Sequence, residues 1–123
     1  MTYKTYEVTE HDDGTQSWRL NGNLHREDGP AIITSTGNQE WWVTGKLHRE
    51  DGPAVVWVDG HQEWWVTGNH HREDGPAVIW SDGTQEWWVN GKQLTEEQFN
   101  NRNKSCAGTI VEIDGKKYKL TEV

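Results

Sequence analysis

The stretch LHREDGPA occupies residues 24–31, returns unchanged at 47–54, and comes back as HHREDGPA at 70–77. Successive copies lie 23 residues apart, and the rest of the chain obeys the same step. Gly14, Gly37, Gly60 and Gly83 form one column of the period, and Gly22, Gly45, Gly68 and Gly91 a second. Trp18, Trp41, Trp64 and Trp87 form a third, followed at once by Trp42, Trp65 and Trp88, with Arg19 at the head of that last column. Trp57 and Trp80 belong to a further column. A fixed period in this size range is the signature of a repeat array, whose units bury their apolar surface only by stacking on one another.

Within the period, PAVIW and QEWWV are short β-branched and aromatic runs bounded by turn residues, the pattern of strands. Asp59-Gly60, Asp82-Gly83, Thr67-Gly68 and Asn90-Gly91 supply the positive φ that tight hairpin turns require. Proline in EDGP opens a strand at the position where its missing N–H does least harm. No helical period runs through the array. The expected fold is mainly all-β: an elongated antiparallel meander of 23-residue hairpin units, about one hairpin per unit, advancing along one axis.

The ends break the pattern as array caps must. Where a fourth LHREDGPA is due, the chain reads QLTEEQFNNRN at 93–103. Thr95 and Gln98 make a capping box, Leu94 and Phe99 a hydrophobic staple, and a short helix is expected from Glu96 to seal the last hairpin. NKSCAG then reads as a linker, and TIVEIDGKKYKL as a hairpin turning at Asp114-Gly115, with Val111 opposite Tyr118 and Glu112 opposite Lys117. The domain reading is an array over 1–94, a capping helix and linker over 95–104, and a terminal hairpin over 105–123.

Composition limits the function classes. Only 32% of the residues are apolar, yet nine are tryptophan, which leads to the expectation of a tryptophan-built core. A formal charge of −8 opposes binding to nucleic-acid backbones or anionic membranes, both of which need clustered cations. Cys106 is the only cysteine, so an internal disulfide is excluded and a reducing compartment fits. MTYKTYEV lacks a secretory signal pattern and no apolar run approaches ~18 residues, so a cytoplasmic protein without a membrane span is expected.

Neighbouring strand residues face opposite ways, so Trp41, Trp64 and Trp87 are expected on one face and Trp42, Trp65 and Trp88 on the other, each column forming an aromatic ladder. The more exposed face is the candidate binding surface. HRED offers a base, a cation and two carboxylates, but three equal copies on a linear array do not resemble a catalytic constellation. Nor can histidines a whole unit apart share one metal, so no catalytic residue, metal or cofactor is assigned. The phrase is read mainly as a joint, with Arg49 pairing with an acid of the neighbouring unit in a charge ladder along the edge. The arginines also remain candidate contacts for a partner's anions. Candidate binding residues are therefore Trp42, Trp65, Trp88, Trp57 and Trp80, together with Arg26, Arg49, Arg72, His25, His48 and His71. His61 and His70, outside the histidine column, are read as surface residues.

The run Trp88-Val89-Asn90-Gly91-Lys92, with looser copies at 42–46 and 65–69, resembles the MORN (membrane occupation and recognition nexus) repeat. Thr84 and Glu86 stand where that family usually has tyrosine and glycine. The HREDGPA variant is similar to repeats in proteins of tailed phages and giant viruses. The resemblance spans residues 8–92 and implies attachment to lipid headgroups or to proteins, of which the acidic balance opposes the first. Three functions follow as expectations. One is a non-enzymatic viral protein that blocks a host macromolecule, such as a component of antiviral defence. Another is sequestration of a small nucleotide-type ligand by tryptophan stacking and arginine–phosphate contacts. The last is a structural part that forms homo-oligomers through exposed strand edges.

Overall fold

The structure is a computed structural model that describes residues 5–104 and the strands Ile110–Ile113 and Lys116–Lys119. It divides into two compact units, Met1–Gln93 and Leu94–Val123.

The first unit is built on a ten-stranded antiparallel sheet. Its order along the main path is Tyr6–Glu10, Gln16–Leu20, Ile32–Ile33, Gln39–Glu40, Val55–Val56, Gln62–Glu63, Val78–Ile79, Gln85–Val89 and Lys92–Leu94, with Asn23–Leu24 branching from Gln16–Leu20. Sequence order and spatial order coincide, so the sheet is the expected meander. Registers repeat with the period: Glu40 faces Ile32 on one side and Val55 on the other, and Glu63 faces Val55 and Val78.

Each 23-residue unit supplies two hairpins where the sequence suggested about one. The first, Ile32–Ile33 with Gln39–Glu40, lies in the main sheet. The second, Trp42–Val43 with Lys46–Leu47, lies beside it, and Trp65–Val66 with Asn69–His70 copies it one unit later. Backbone bonds from Arg49 N–H to Trp65 C=O (3.0 Å) and from Gly68 N–H to Leu47 C=O (2.9 Å) tie each small hairpin to the next. Two parallel rows of backbone bonding therefore run along the array, and each QEWWV segment passes through both.

The turns have distinct chemistry. Small hairpins close through two residues that both have positive φ, as at Thr67 (48°) and Gly68 (80°), the backbone that matches strand twist in a tight hairpin. Main-sheet hairpins use a longer turn in which only glycine is left-handed. There Asp59 Oδ1 accepts the His61 N–H at 2.9 Å, and Asp82 does the same for Thr84.

The core differs from the expected tryptophan core. Ala31, Ala54 and Ala77 are completely buried, Val55 and Val78 nearly so, and none of the described tryptophans is. Seven of the nine tryptophans are partly buried, and Trp57 and Trp80 are exposed. Nor do the indoles stack directly on one another along a column. Two strands per unit put equivalent residues about 9.5 Å apart, beyond the ~4.5–7 Å at which aromatic rings interact. Another side chain fills the gap instead.

In the second unit, the helix Glu96–Lys104 begins as expected. Gln98 N–H donates to Thr95 Oγ1 (3.0 Å) and Thr95 N–H to Gln98 Oε1 (2.9 Å), a reciprocal cap, with Glu96 and Glu97 favourably placed in the first turn. The helix extends through Asn103 and Lys104, which the sequence had suggested as linker. Ile110–Ile113 pairs with Lys116–Lys119 in the expected register, Val111 opposite Tyr118 and Glu112 opposite Lys117. Cys106 and the Asp114-Gly115 turn lie outside the described residues. Among the described residues, no helix is long and apolar enough to cross a membrane.

Candidate interaction surfaces

Strand alternation sends the two tryptophan columns to opposite faces, and side-chain partners identify each face. On the first, every ladder glutamate accepts the indole N–H of the tryptophan two residues on: Glu40 from Trp42 (2.9 Å), Glu63 from Trp65 (2.8 Å) and Glu86 from Trp88 (2.9 Å). Glu86 also accepts from Trp80 Nε1 at 2.6 Å. Trp57 and Trp80 belong to this face and are its most open rings, at 40% and 44% exposure.

His61 and His70 lie on the same face, and neither is a free surface residue. His61 is 2% exposed, its ring between Trp57 and Trp80 with centroids 4.8 and 4.7 Å away. His70 lies between Trp65 and Trp88, at 3.7 and 4.9 Å. Both Nε2 atoms meet Glu63, at 2.6 Å for His61 and 3.0 Å for His70. A carboxylate can only accept, so each Nε2 carries the shared hydrogen. The His70 hydrogen bond is the main cause that lowers the Glu63 carboxyl to about 2. Burial opposes it, and the His61 and Trp65 hydrogen bonds add to it. His61 Nδ1 is buried without a hydrogen-bond partner. This cluster escaped the sequence reading. The available signal was that His61 stands where other units have Asn38 and Thr84, and His70 where they have Leu24 and Leu47.

The opposite face carries the repeated phrase. Arg26, Arg49 and Arg72 lie over Trp18, Trp41 and Trp64, with guanidinium carbons 4.0, 3.9 and 3.8 Å from the ring centroids. Arg49 Nε–H donates to Asp51 Oδ1 (3.0 Å) and Nη1–H to Pro53 C=O (3.1 Å), and the other two copies repeat these bonds. The expected pairing of Arg49 with an acid of the neighbouring unit is thus corrected: its acid is Asp51, two residues on, because the EDGP turn folds back beneath the guanidinium. The glycine of that turn is fixed by the same contact, since a Cβ on Gly52 would lie 3.0 Å from the Arg49 guanidinium carbon.

His25, His48 and His71 make the joint between units. Their Nδ1 atoms accept the backbone N–H of Thr44, Thr67 and Asn90, each at 2.9 Å. A backbone N–H can only donate, so Nδ1 is the unprotonated ring nitrogen in all three. The candidate residues therefore fall into separate places. Trp42, Trp65, Trp88, Trp57 and Trp80 share one face, Arg26, Arg49 and Arg72 the other, and the three histidines are committed to the next unit's turn.

Compared with protein-family models, curated proteins and solved structures, the chain matches none. The likeness to MORN-type repeats rests on the repeat motif alone.

Proposed function

We propose that this protein is a non-enzymatic binding protein that recognises a macromolecule through the indole–carboxylate face of its array. Following the phage and giant-virus resemblance of its repeats, the macromolecule is a host component met in the cytoplasm. The observation that carries the reading is the pair Trp57 and Trp80, two large rings on one face of the sheet that are 40% and 44% exposed. His61 wedged between them holds their separation, and the Glu86 hydrogen bond orients Trp80, so little side-chain freedom remains to be lost on binding.

Sequestration of a nucleotide is less well supported. It needs an indole and a guanidinium free to take a ligand together, whereas the two most open indoles, Trp57 and Trp80, lie on the side opposite the arginines. The arginines are also already hydrogen-bonded and stacked within their own units.

The test is affinity capture with wild-type protein and the Trp57→Ala/Trp80→Ala variant, quantified by mass spectrometry, after far-ultraviolet circular dichroism has shown the variant folded. Loss of a stoichiometric partner is expected. Capture of the same partners by both proteins overturns the assignment of the face.

A further inference from the structure

The arginine face holds three clefts at the period of the array. One lies between the acidic turns 27–29 and 50–51, has Trp41 and Val43 in its wall, and encloses about 570 Å³. The next lies between turns 50–52 and 73–74, has Trp64 and Val66 in the equivalent places, and is the same size. A smaller cleft of about 350 Å³ precedes them, walled by Tyr6, Val8 and Trp18. Each combines an indole, one ring face of which is covered by the unit's own arginine, with carboxylates at the rim. Asp28, Asp51 and Asp74 are 85–88% exposed, and Glu27, Glu50 and Glu73 are 57–83% exposed.

Six carboxylates face three arginines along this edge, where each aspartate bonds its arginine and each glutamate lies 3.4–3.7 Å from a histidine Nε2. The histidines among them use Nδ1 to accept a backbone N–H. The row is therefore negative in a chain whose formal charge is −8. An apolar wall under an anionic rim suits a long basic side chain, whose methylenes lie along the indole while its charged head reaches the carboxylates.

Spacing selects the backbone that could present such side chains. The clefts recur every two strands, about 9.5 Å. Three residues of polyproline II rise about 9.3 Å. Alternate residues of a β-strand, which share a side, are only about 6.7 Å apart.

We propose that this face docks an extended, basic segment of a partner protein that carries lysine or arginine at every third residue, one side chain per cleft. The site is separate from the indole–carboxylate face, so either assignment can fail alone.

Fluorescence anisotropy tests this with two labelled peptides of equal charge: Lys-Pro-Pro repeated four times, and a peptide with the same four lysines contiguous. At 150 mM salt the periodic peptide is expected to bind at least about ten-fold more tightly, since only it occupies several clefts at once. The Glu27→Gln/Glu50→Gln/Glu73→Gln variant should remove that advantage, and Trp57→Ala/Trp80→Ala should leave it intact. Equal binding of the two peptides, no binding of either, or loss of the preference in Trp57→Ala/Trp80→Ala each overturns the proposal. If the triple variant fails to fold, Glu50→Gln alone, which borders two clefts, must weaken the periodic peptide selectively.

Discussion

His48 Nδ1 accepts the backbone N–H of Thr67 at 2.9 Å, and so spans the boundary between two repeats. His25 with Thr44 and His71 with Asn90 form the same bond at the same length. The invariant histidine of the repeated phrase is thus explained as mortar: it satisfies the first donor of the next unit's tight turn.

His48→Leu keeps the bulk and removes the acceptor. The expected loss is about 1 kcal/mol, the net value of one partly solvated hydrogen bond, read from urea denaturation. An unchanged midpoint would show that water replaces the imidazole at no cost.

Arg49 makes two directed hydrogen bonds and one ring contact from a single planar group. Lysine retains the charge but lacks the fork, so Arg49→Lys is expected to lower stability by about 1–2 kcal/mol. Equal stability of the two proteins in thermal denaturation would reduce the arginine's role to charge alone.

Thr44 and Thr67 sit at φ of 50° and 48°, a conformation costly for a β-branched residue, while the equivalent positions hold Asn21 and Asn90. Thr44→Asn and Thr67→Asn are therefore expected to stabilise by about 0.5–1 kcal/mol each, with any departure from additivity in the double variant reporting the bonds that tie the adjacent hairpins. Calorimetry on the single and double variants checks both claims.

Glu63 titrates in the folded state at about 2, below its ordinary 4.5. Because the folded value is the lower one, its contribution is complete above pH 4.5 and is lost as pH falls toward 2. Glu63→Gln should flatten stability against pH within that window relative to wild type. Parallel curves for the two proteins would mean that the contacts with His61 and His70 do not favour the charged carboxylate.

Much of this architecture was legible in the sequence because the period repeats every cue. Turn glycines, β-branched runs and the Thr95–Gln98 cap each read correctly, and the final hairpin's register followed from its Asp-Gly pair. The two rows of hairpins were not legible. QEWWV reads as one strand, and nothing in its residues marks Trp41 as the point where it passes from one row to the other. The indole spacing was misjudged for a related reason, since the number of strands per unit sets the distance between equivalent rings. The Glu63 cluster was missed because His61 and His70, nine residues apart, fill two different columns of the repeat. Only the folded hairpin brings them to one carboxylate.

Val55 sits opposite Glu40 on one side and Glu63 on the other, and the same pair of neighbours recurs down the sheet. Excising one period from the gene would therefore rejoin surfaces that are already matched, and duplicating one would require no new contact to be invented. Such a molecule can change its reach in fixed increments, as a ruler is cut to length, while selection tunes only the units that touch something else.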